Sequence, residues 1–488
     1  MTELIDESSQ PGGPQPDIRS RVGSTLVRVL PDRISVAATV VLWTPMLGWL
    51  LLFQPGMVSP DSLSAWRQVL SGTWTDAHPP LYTAGMWLSH ALVSSPVLLG
   101  GAQSLLLAAG IVAASRSLVR FGAPRSGVIV TATLLAWSPM IGAFSVSLWK
   151  DVPYAGAFLF AAARSVDLVT ARLEGRRPIR PTVSLAIWAA LVVLLRQNGV
   201  LLVAALFLTL IVVLPGQRRR LVAGLVGAIA VLAVAKAVVY PLAGIRPADS
   251  NATMANLLHD IAAHVAEDPA ALTPSDRALL QQLGPIETWT DAFSRTRCWS
   301  QNWQFDPAFR WEEIPPVRTR MLALWARLAI ADPMAEVRNR ACVAAIAWSP
   351  YPVGPTYTVE RSVAPNHDGL VAATVSPELT RRAQELLADL DGQPAQSLLW
   401  RAPAWMMLAA ASVAIAAFRA RRALVAAVIV PLAAFVLSVA PVVPSQDARY
   451  MIPALMFAVL LLQTAWRTPR STDRHRPEDQ GADGPTSA

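Results

Sequence analysis

Apolar residues along this chain come in long runs, separated by short clusters of Arg, Pro and Gly. A run of about 20 such residues is what an α-helix needs to cross a bilayer, where every backbone polar group must be satisfied within the span. Runs of this kind lie at 34–53, 96–115, 127–147, 152–170, 182–195, 200–214, 221–242, 403–418, 423–441 and 450–466. The two that flank Arg196 are short. Arg164 and Asp167 fall toward the end of one run and Lys236 in another, while the rest are free of charge. The pattern predicts an all-α, polytopic membrane protein of about ten transmembrane helices.

Between the seventh and eighth runs the pattern changes. In 254–267, 316–330, 334–348 and 377–390 apolar residues recur at helical spacing among polar ones. Thr273-Pro274-Ser275-Asp276 and Ser376-Pro377-Glu378 each set a capping residue before a Pro suited to the first helical position. Convincing alternating strands are absent. The expected organisation is a basic, disordered tail (1–33), then an N-terminal transmembrane catalytic module (34–242) carrying a first external loop (54–95). A helical extracytoplasmic domain (243–401), C-terminal transmembrane helices (402–466) and a disordered tail (467–488) follow. The first run follows about thirty mostly polar residues and no A-x-A site succeeds it, so it reads as an anchor and not as a cleaved signal.

Charge gives the orientation. With 53% hydrophobic and 15% charged residues, the chain is not read as a single soluble enzyme. Its formal charge of +8 would suggest nucleic acid in a soluble protein, but segment 241–401 holds 18 acids and 14 Arg, a net of −4, leaving +12 for the remainder. That excess sits in short loops and tails: Arg19, Arg21, Arg28 and Arg33, then Arg116/Arg120/Arg125, Arg172/Arg176/Arg177/Arg180, Arg218/Arg219/Arg220, Arg419/Arg421/Arg422 and Arg467/Arg470. Cytoplasmic loops keep Lys and Arg, and with ten spans all these clusters fall on the cytoplasmic side together with both termini. Segments 54–95, 149–151, 196–199, 243–401 and 442–449 then lie outside. No basic stripe with interleaved aromatics points to nucleic acid. Of the 41 cations only Lys150 and Lys236 are Lys, the bias of a high-GC bacterial gene, and the expected location is a bacterial plasma membrane.

Both cysteines, Cys298 and Cys342, fall in the external domain. Oxidation is permitted there, so they form either the one intrachain disulfide available or two buried free thiols.

Chemistry gathers in the external loops. Ser59, Pro60 and Gly72 can cap, start and end a short helix, with Leu63, Trp66 and Leu70 on one face; it reads as lying in the membrane interface. Asp61 is in its first turn, where a carboxylate can also do no more than complement the helix dipole. Asp76 and His78 follow in Asp76-Ala77-His78-Pro79-Pro80-Leu81. Trp149-Lys150-Asp151 lies at the mouth of a hairpin; charges there are costly to bury and are usually functional or snorkelling, and Trp149 also suits an aromatic belt. Arg196-Gln197-Asn198-Gly199 forms another tip, with Asn198-Gly199 making the turn and Arg196 placed either to snorkel or to clamp a lipid phosphate. The last element is Ser445-Gln446-Asp447-Ala448-Arg449-Tyr450. Carboxylates and cations converging on one membrane face suit transfer from an anionic lipid-linked donor: cations hold the phosphate leaving group and a carboxylate deprotonates the attacking hydroxyl.

An external acid after the first helix, followed by Asp76-x-His78-Pro79-Pro80-Leu81, resembles the GT-C superfamily of glycosyltransferases, protein O-mannosyltransferases in particular. Trp149-Lys150-Asp151, Arg196-x-Asn198-Gly199 and the external helical region 257–268 look more like a related bacterial family of the same superfamily. The resemblance implies inverting transfer of a sugar from a polyprenyl-phosphate donor to an extracytoplasmic glycan, lipid or protein acceptor. It implies Asp61 as general base and Asp151 as a second acid that binds acceptor or a divalent metal. Asp76 and His78 would shape the acceptor side. Arg196 and Arg449 would hold the lipid phosphate, with Lys150, Asn198 and Tyr450 lining the substrate site. Two departures stand out: Ser62, not an acid, follows Asp61, and the external domain lies before the last three spans. A transporter or lipid flippase, or a non-catalytic envelope assembly protein, is the alternative. A transporter would want polar or broken helices near the midplane, whereas Lys236, Arg164 and Asp167 lie nearer the ends of their runs.

Overall fold

The computed structural model describes residues 33–176, 179–248, 251–295, 298, 308–354 and 356–468. The tails expected to be disordered, with Arg19, Arg21, Arg28 and Arg470, and also Arg177, lie outside the described residues. Among the described residues regular structure is helical, and β pairing occurs only as isolated bridges.

Helix α1 (Arg33–Leu52) fills the first apolar run. Two short helices follow, α2 (Pro60–Ser71) and α3 (Pro80–Val93), and then α4 (Val97–Phe121). The run expected at 127–147 is not one straight span: α5 (Arg125–Trp137) and α6 (Pro139–Val146) meet at a 60° bend. Ser138 there is extended and Pro139 has no N–H to carry the hydrogen-bond ladder across. Next come α7 (Asp151–Leu173), α8 (Ile179–Leu195), α9 (Gly199–Val213) and α10 (Pro215–Leu242), the last passing through a π-helical stretch at Ala235–Val239. The next helices are α11 (Asn251–Glu267), α12 (Pro274–Leu283), α13 (Ile286–Arg295), α14 (Ile314–Ala331), α15 (Pro333–Val343) and α16 (Pro377–Leu390). The apolar helices α17 (Pro403–Ala420), α18 (Ala423–Val439) and α19 (Ile452–Trp466) follow.

By length and composition, α1, α4, α7, α10 and α17 can cross a membrane, and a sixth span exists if α5 and α6 are counted as one. Helices α8, α9, α18 and α19 are apolar but only 10–17 residues long. The chain is a helical membrane protein. Helix α7 is its hub, with 83% of its apolar window buried inside the protein. It meets α4 where Gly110 and Gly156 oppose one another: a Cβ on Gly110 would stand 2.9 Å from the Gly156 carbonyl oxygen. Such small residues let two backbones approach closely, which is how helices pack tightly where lipid removes the hydrophobic drive. At the end of α7 away from Asp151, Asp167 pairs with Arg120 and Arg164, each at 2.9 Å, so the charges inside that run hold each other.

Segment 243–401 divides by its packing. Helices α11 to α14 enclose a core of their own around Leu258, Ile261, Leu280, Trp289 and Met321. Thr273 and Asp276 form a reciprocal capping box on α12. Cys298 and Cys342 are joined, with their Cα atoms 4.8 Å apart. From the end of α15 onward, Val343, Ile346, Val359, Leu387 and Trp400 pack instead into the core of the membrane bundle. The fully buried Arg401 fastens this region, donating to the carbonyls of Ala345 (2.9 Å) and Ser349 (3.1 Å).

Helix α2 starts and stops where its capping residues indicate: Ser59 accepts from the Ser62 N–H, and Gly72 closes it at φ 67°. Its buried face differs from the expected one. Leu63, Trp66 and Val69 turn inward while Leu70 is 46% exposed. That face is covered by Tyr82, Met86, Leu148 and Ala364, so protein, not lipid, receives it.

Candidate active site

Four short extended segments meet beside α2. Met57 pairs with Ser147 and Val58 with Val363, both in parallel, while Tyr357 pairs in parallel with Asp447. The Met57 N–H donates to the Val146 carbonyl (3.1 Å), and the Leu148 N–H donates back to Met57 (2.8 Å). The Ala448 N–H donates to Tyr357 (2.8 Å). Gly56 permits the closest approach: at φ 135°, a Cβ there would stand 2.8 Å from the Val146 carbonyl oxygen. The pairing fixes where the next residues go. Asp61 follows Val58 by one turn, Lys150 and Asp151 follow Ser147, and Arg449 follows Asp447.

The side chains so placed form three ion pairs, two of them on Arg449. Arg449 reaches Asp61 with NH1 (2.8 Å) and stands 2.7 Å from Asp447 Oδ2 with Nε. Its guanidinium lies 5.2 Å from the ring centroids of both Trp149 and Tyr450. Trp149 is itself fixed by donating its indole N–H to the Ser59 hydroxyl at 2.8 Å. Arg196 pairs with Asp151, donates Nε–H to Asn198 Oδ1 (2.7 Å) and lies 4.7 Å over the Tyr450 ring. A small cavity opens in front of these groups, lined by Asp61, His78, Tyr82, Lys150, Asp151 and Arg449 among others.

The carboxylates differ sharply in access. The Asp61 side chain keeps 51% of its surface open, against 1% for Asp151 and 4% for Asp447. Crowding would raise the Asp61 pKa, but the Arg449 and Lys150 charges outweigh it and hold the carboxyl well below the usual range. Burial pushes Asp447 up to about 6 despite Arg449. Burial, reinforced by the charges of Arg196 and Arg449, brings Lys150 down to about 8. Burial and the Lys150 charge bring His78 down to about 4, so its imidazole is neutral near pH 7. Among the described residues Lys150 has no carboxylate within ion-pair distance. Asp61 is therefore the reachable acid, facing a cavity with Lys150 and Arg449 on its wall. Among the described residues no three or more His, Cys, Asp or Glu side chains gather into a group that could hold a metal ion.

A family model, described as a family of unknown function (DUF6020), matches residues 80–479. The chain belongs to that family. The matched span includes Lys150, Asp151, Arg196 and Arg449 and begins after Asp61 and His78. No curated protein matches this DUF6020 chain. Among solved structures it is similar to the archaeal oligosaccharyltransferase AglB from Archaeoglobus fulgidus, in complex with an inhibitory peptide and a dolichol-phosphate, with a TM-score of 0.42 and 12% identity. The match covers 88% of the DUF6020 chain and 50% of the AglB chain, so this protein spans about half the length of that relative.

The structure brings most of the sequence-derived candidates of the DUF6020 chain together and sets one apart. Asp61, His78, Lys150, Asp151 and Arg449 line one cavity. Arg196, Asn198 and Tyr450 stand behind it: Arg196, expected to hold a lipid phosphate, pairs with Asp151 and donates to Asn198 and is not on the cavity wall, so it holds Asp151 in place. Asp76 belongs elsewhere. It pairs with Lys236 (3.1 Å), accepts from the Ala248 N–H (2.6 Å) and lines a separate cavity with Pro79, Pro80 and Tyr240. Trp149 is 2% exposed, which makes it a wall of the site and not a member of an aromatic belt. Sequence reasoning passed over Asp447, whose only signal was its place two residues before Arg449.

Proposed function

We propose that this DUF6020 protein is a membrane glycosyltransferase that moves a sugar, with inversion, from a polyprenyl-phosphate donor to a hydroxyl acceptor on the extracytoplasmic side. The observation that carries the reading is the sharing of one cavity by a half-open carboxylate, Asp61, and two cations, Lys150 and Arg449. The buried acids near it are already neutralised by Arg196 and Arg449.

In this reading Asp61 takes the proton of the acceptor hydroxyl as its oxygen bonds to the anomeric carbon. The bond from that carbon to the phosphate oxygen breaks on the opposite face, and its electron pair stays with the phosphate. The leaving group passes from one negative charge to two. Lys150 and Arg449 are poised to stabilise that developing charge, which is the interaction a transition state rewards. Arg196 holds Asp151 oriented on the cavity wall, and neutral His78 offers a hydrogen bond to a hydroxyl.

The test is transfer itself. Purified protein in nanodiscs should convert a radiolabelled polyprenyl-phosphate hexose to polyprenyl phosphate plus glycosylated product when envelope extract supplies the acceptor. Failure to consume any of a panel of such donors, with folded protein, would overturn the reading.

A further inference from the structure

Arg449 has two carboxylate partners, and they differ in a way that bears on how the site works. Asp447 is held from several sides: 4% of its side chain is exposed, it pairs with Arg449 Nε at 2.7 Å, and it accepts the Arg449 backbone N–H at 3.1 Å. Asp61 is half open, and it meets Arg449 through a contact with NH1. The two acids use different edges of one planar fork, so one contact can be given up while the other persists. The rings of Trp149 and Tyr450 hold the guanidinium whichever partner NH1 has. Arg449 also lines the cavity together with Lys150, where an anion would arrive.

A carboxylate clamped by a guanidinium is a poor proton acceptor, because its ionised form is the stabilised one. For Asp61 to act as a base, that clamp must loosen at the moment of transfer. A phosphate group entering the cavity competes for the same NH1. We propose that Arg449 is a latch on Asp61: a prenyl-phosphate head group draws NH1 away from Asp61, freeing that carboxylate for proton transfer, while Asp447 keeps the guanidinium in position. The base is then activated only when the donor is bound. The proposal rests on reading the cavity as a prenyl-phosphate site.

Competition for one NH1 makes a prediction that simple charge repulsion does not. Polyprenyl phosphate binding is measured on full-length protein in nanodiscs for wild type and Asp61→Asn, and again with Arg449→Gln as background. Because Arg449→Gln leaves Asp447 buried without its cation, the background also carries Asp447→Asn. Asp61→Asn should tighten binding about tenfold in the wild-type background and less than about twofold once Arg449 is gone, a coupling that such a cycle isolates. Equal tightening in both backgrounds, or none in the first, overturns the latch. Wild-type protein that does not bind polyprenyl phosphate overturns the latch and the transferase reading together. The predicted cycle without sugar transfer keeps the latch and discards the transferase; transfer with a failed cycle discards the latch alone.

Discussion

Arg449 NH1 lies 2.8 Å from Asp61 Oδ2, across a sequence separation of 388 residues. The pair ties the segment just before the last apolar helix to the first turn of α2, and it does so beside a cavity with a lysine on its wall. Its consequences can be measured one residue at a time.

Asp61→Asn keeps the shape of the side chain and loses the proton acceptor. Removal of a general base costs about two to four orders of magnitude in rate, so sugar transfer should fall by that much. Folding should survive, because the side chain is half open. If Asp61 served only the α2 dipole, the change would cost about 0.3–1 kcal/mol of stability and leave turnover near normal. Transfer rate and thermal unfolding, measured on the same preparation, separate the two.

Arg196→Gln should act through stability. It strips the cation from Asp151, whose side chain is 1% exposed, and breaking a buried pair in this way costs about 3–5 kcal/mol. Adding Asp151→Asn removes the stranded charge and should recover most of that loss in a detergent unfolding curve. A double variant as unstable as the single one would show that the pair is not what holds this corner.

Activity should have two pH limbs. As pH falls through about 6, the buried Asp447 takes a proton and Arg449 loses its anchor, so kcat/KM should drop on the acid side. As pH rises through about 8, Lys150 loses its proton and the cavity loses a cation facing the phosphate, so KM for the donor should climb. Asp61 stays ionised across this window, while His78, with a pKa of about 4, stays neutral. The Arg196 and Arg449 guanidiniums keep their charge through both limbs. Lys150→Arg should carry the alkaline limb out of range, since a guanidinium keeps its proton. An unchanged alkaline limb in that variant would remove Lys150 from the account.

Orientation can be tested with single cysteines in a background lacking Cys298 and Cys342. Cys at the exposed Ser71, on α2, should react with an impermeant maleimide in intact cells. Cys at Gly216, where an added Cβ meets nothing within 4 Å, should react only after permeabilisation. The reverse pattern would put the cavity on the cytoplasmic side.

What the sequence determined by itself is what local physics writes into short windows. Apolar runs mark helices because each such helix satisfies its own backbone, and Ser59, Pro60 and Gly72 bound α2 because capping is decided within a turn. Even there, the break between α5 and α6 lay inside a run that hydrophobicity alone reads as continuous, and the face of α2 was off by one residue at Leu70. The partners of the charged residues were decided only by the tertiary structure. Asp76 and Asp61 lie in one loop, yet backbone pairing sends Asp61 to Arg449 while Asp76 turns to Lys236 on the π-helical stretch of α10. Asp447 is an acid two residues from an arginine in the sequence, and only burial makes it an anchor. Isolated bridges such as Val58 to Val363 and Tyr357 to Asp447 set these positions, and a bridge of one or two residues carries no periodicity for a sequence to display.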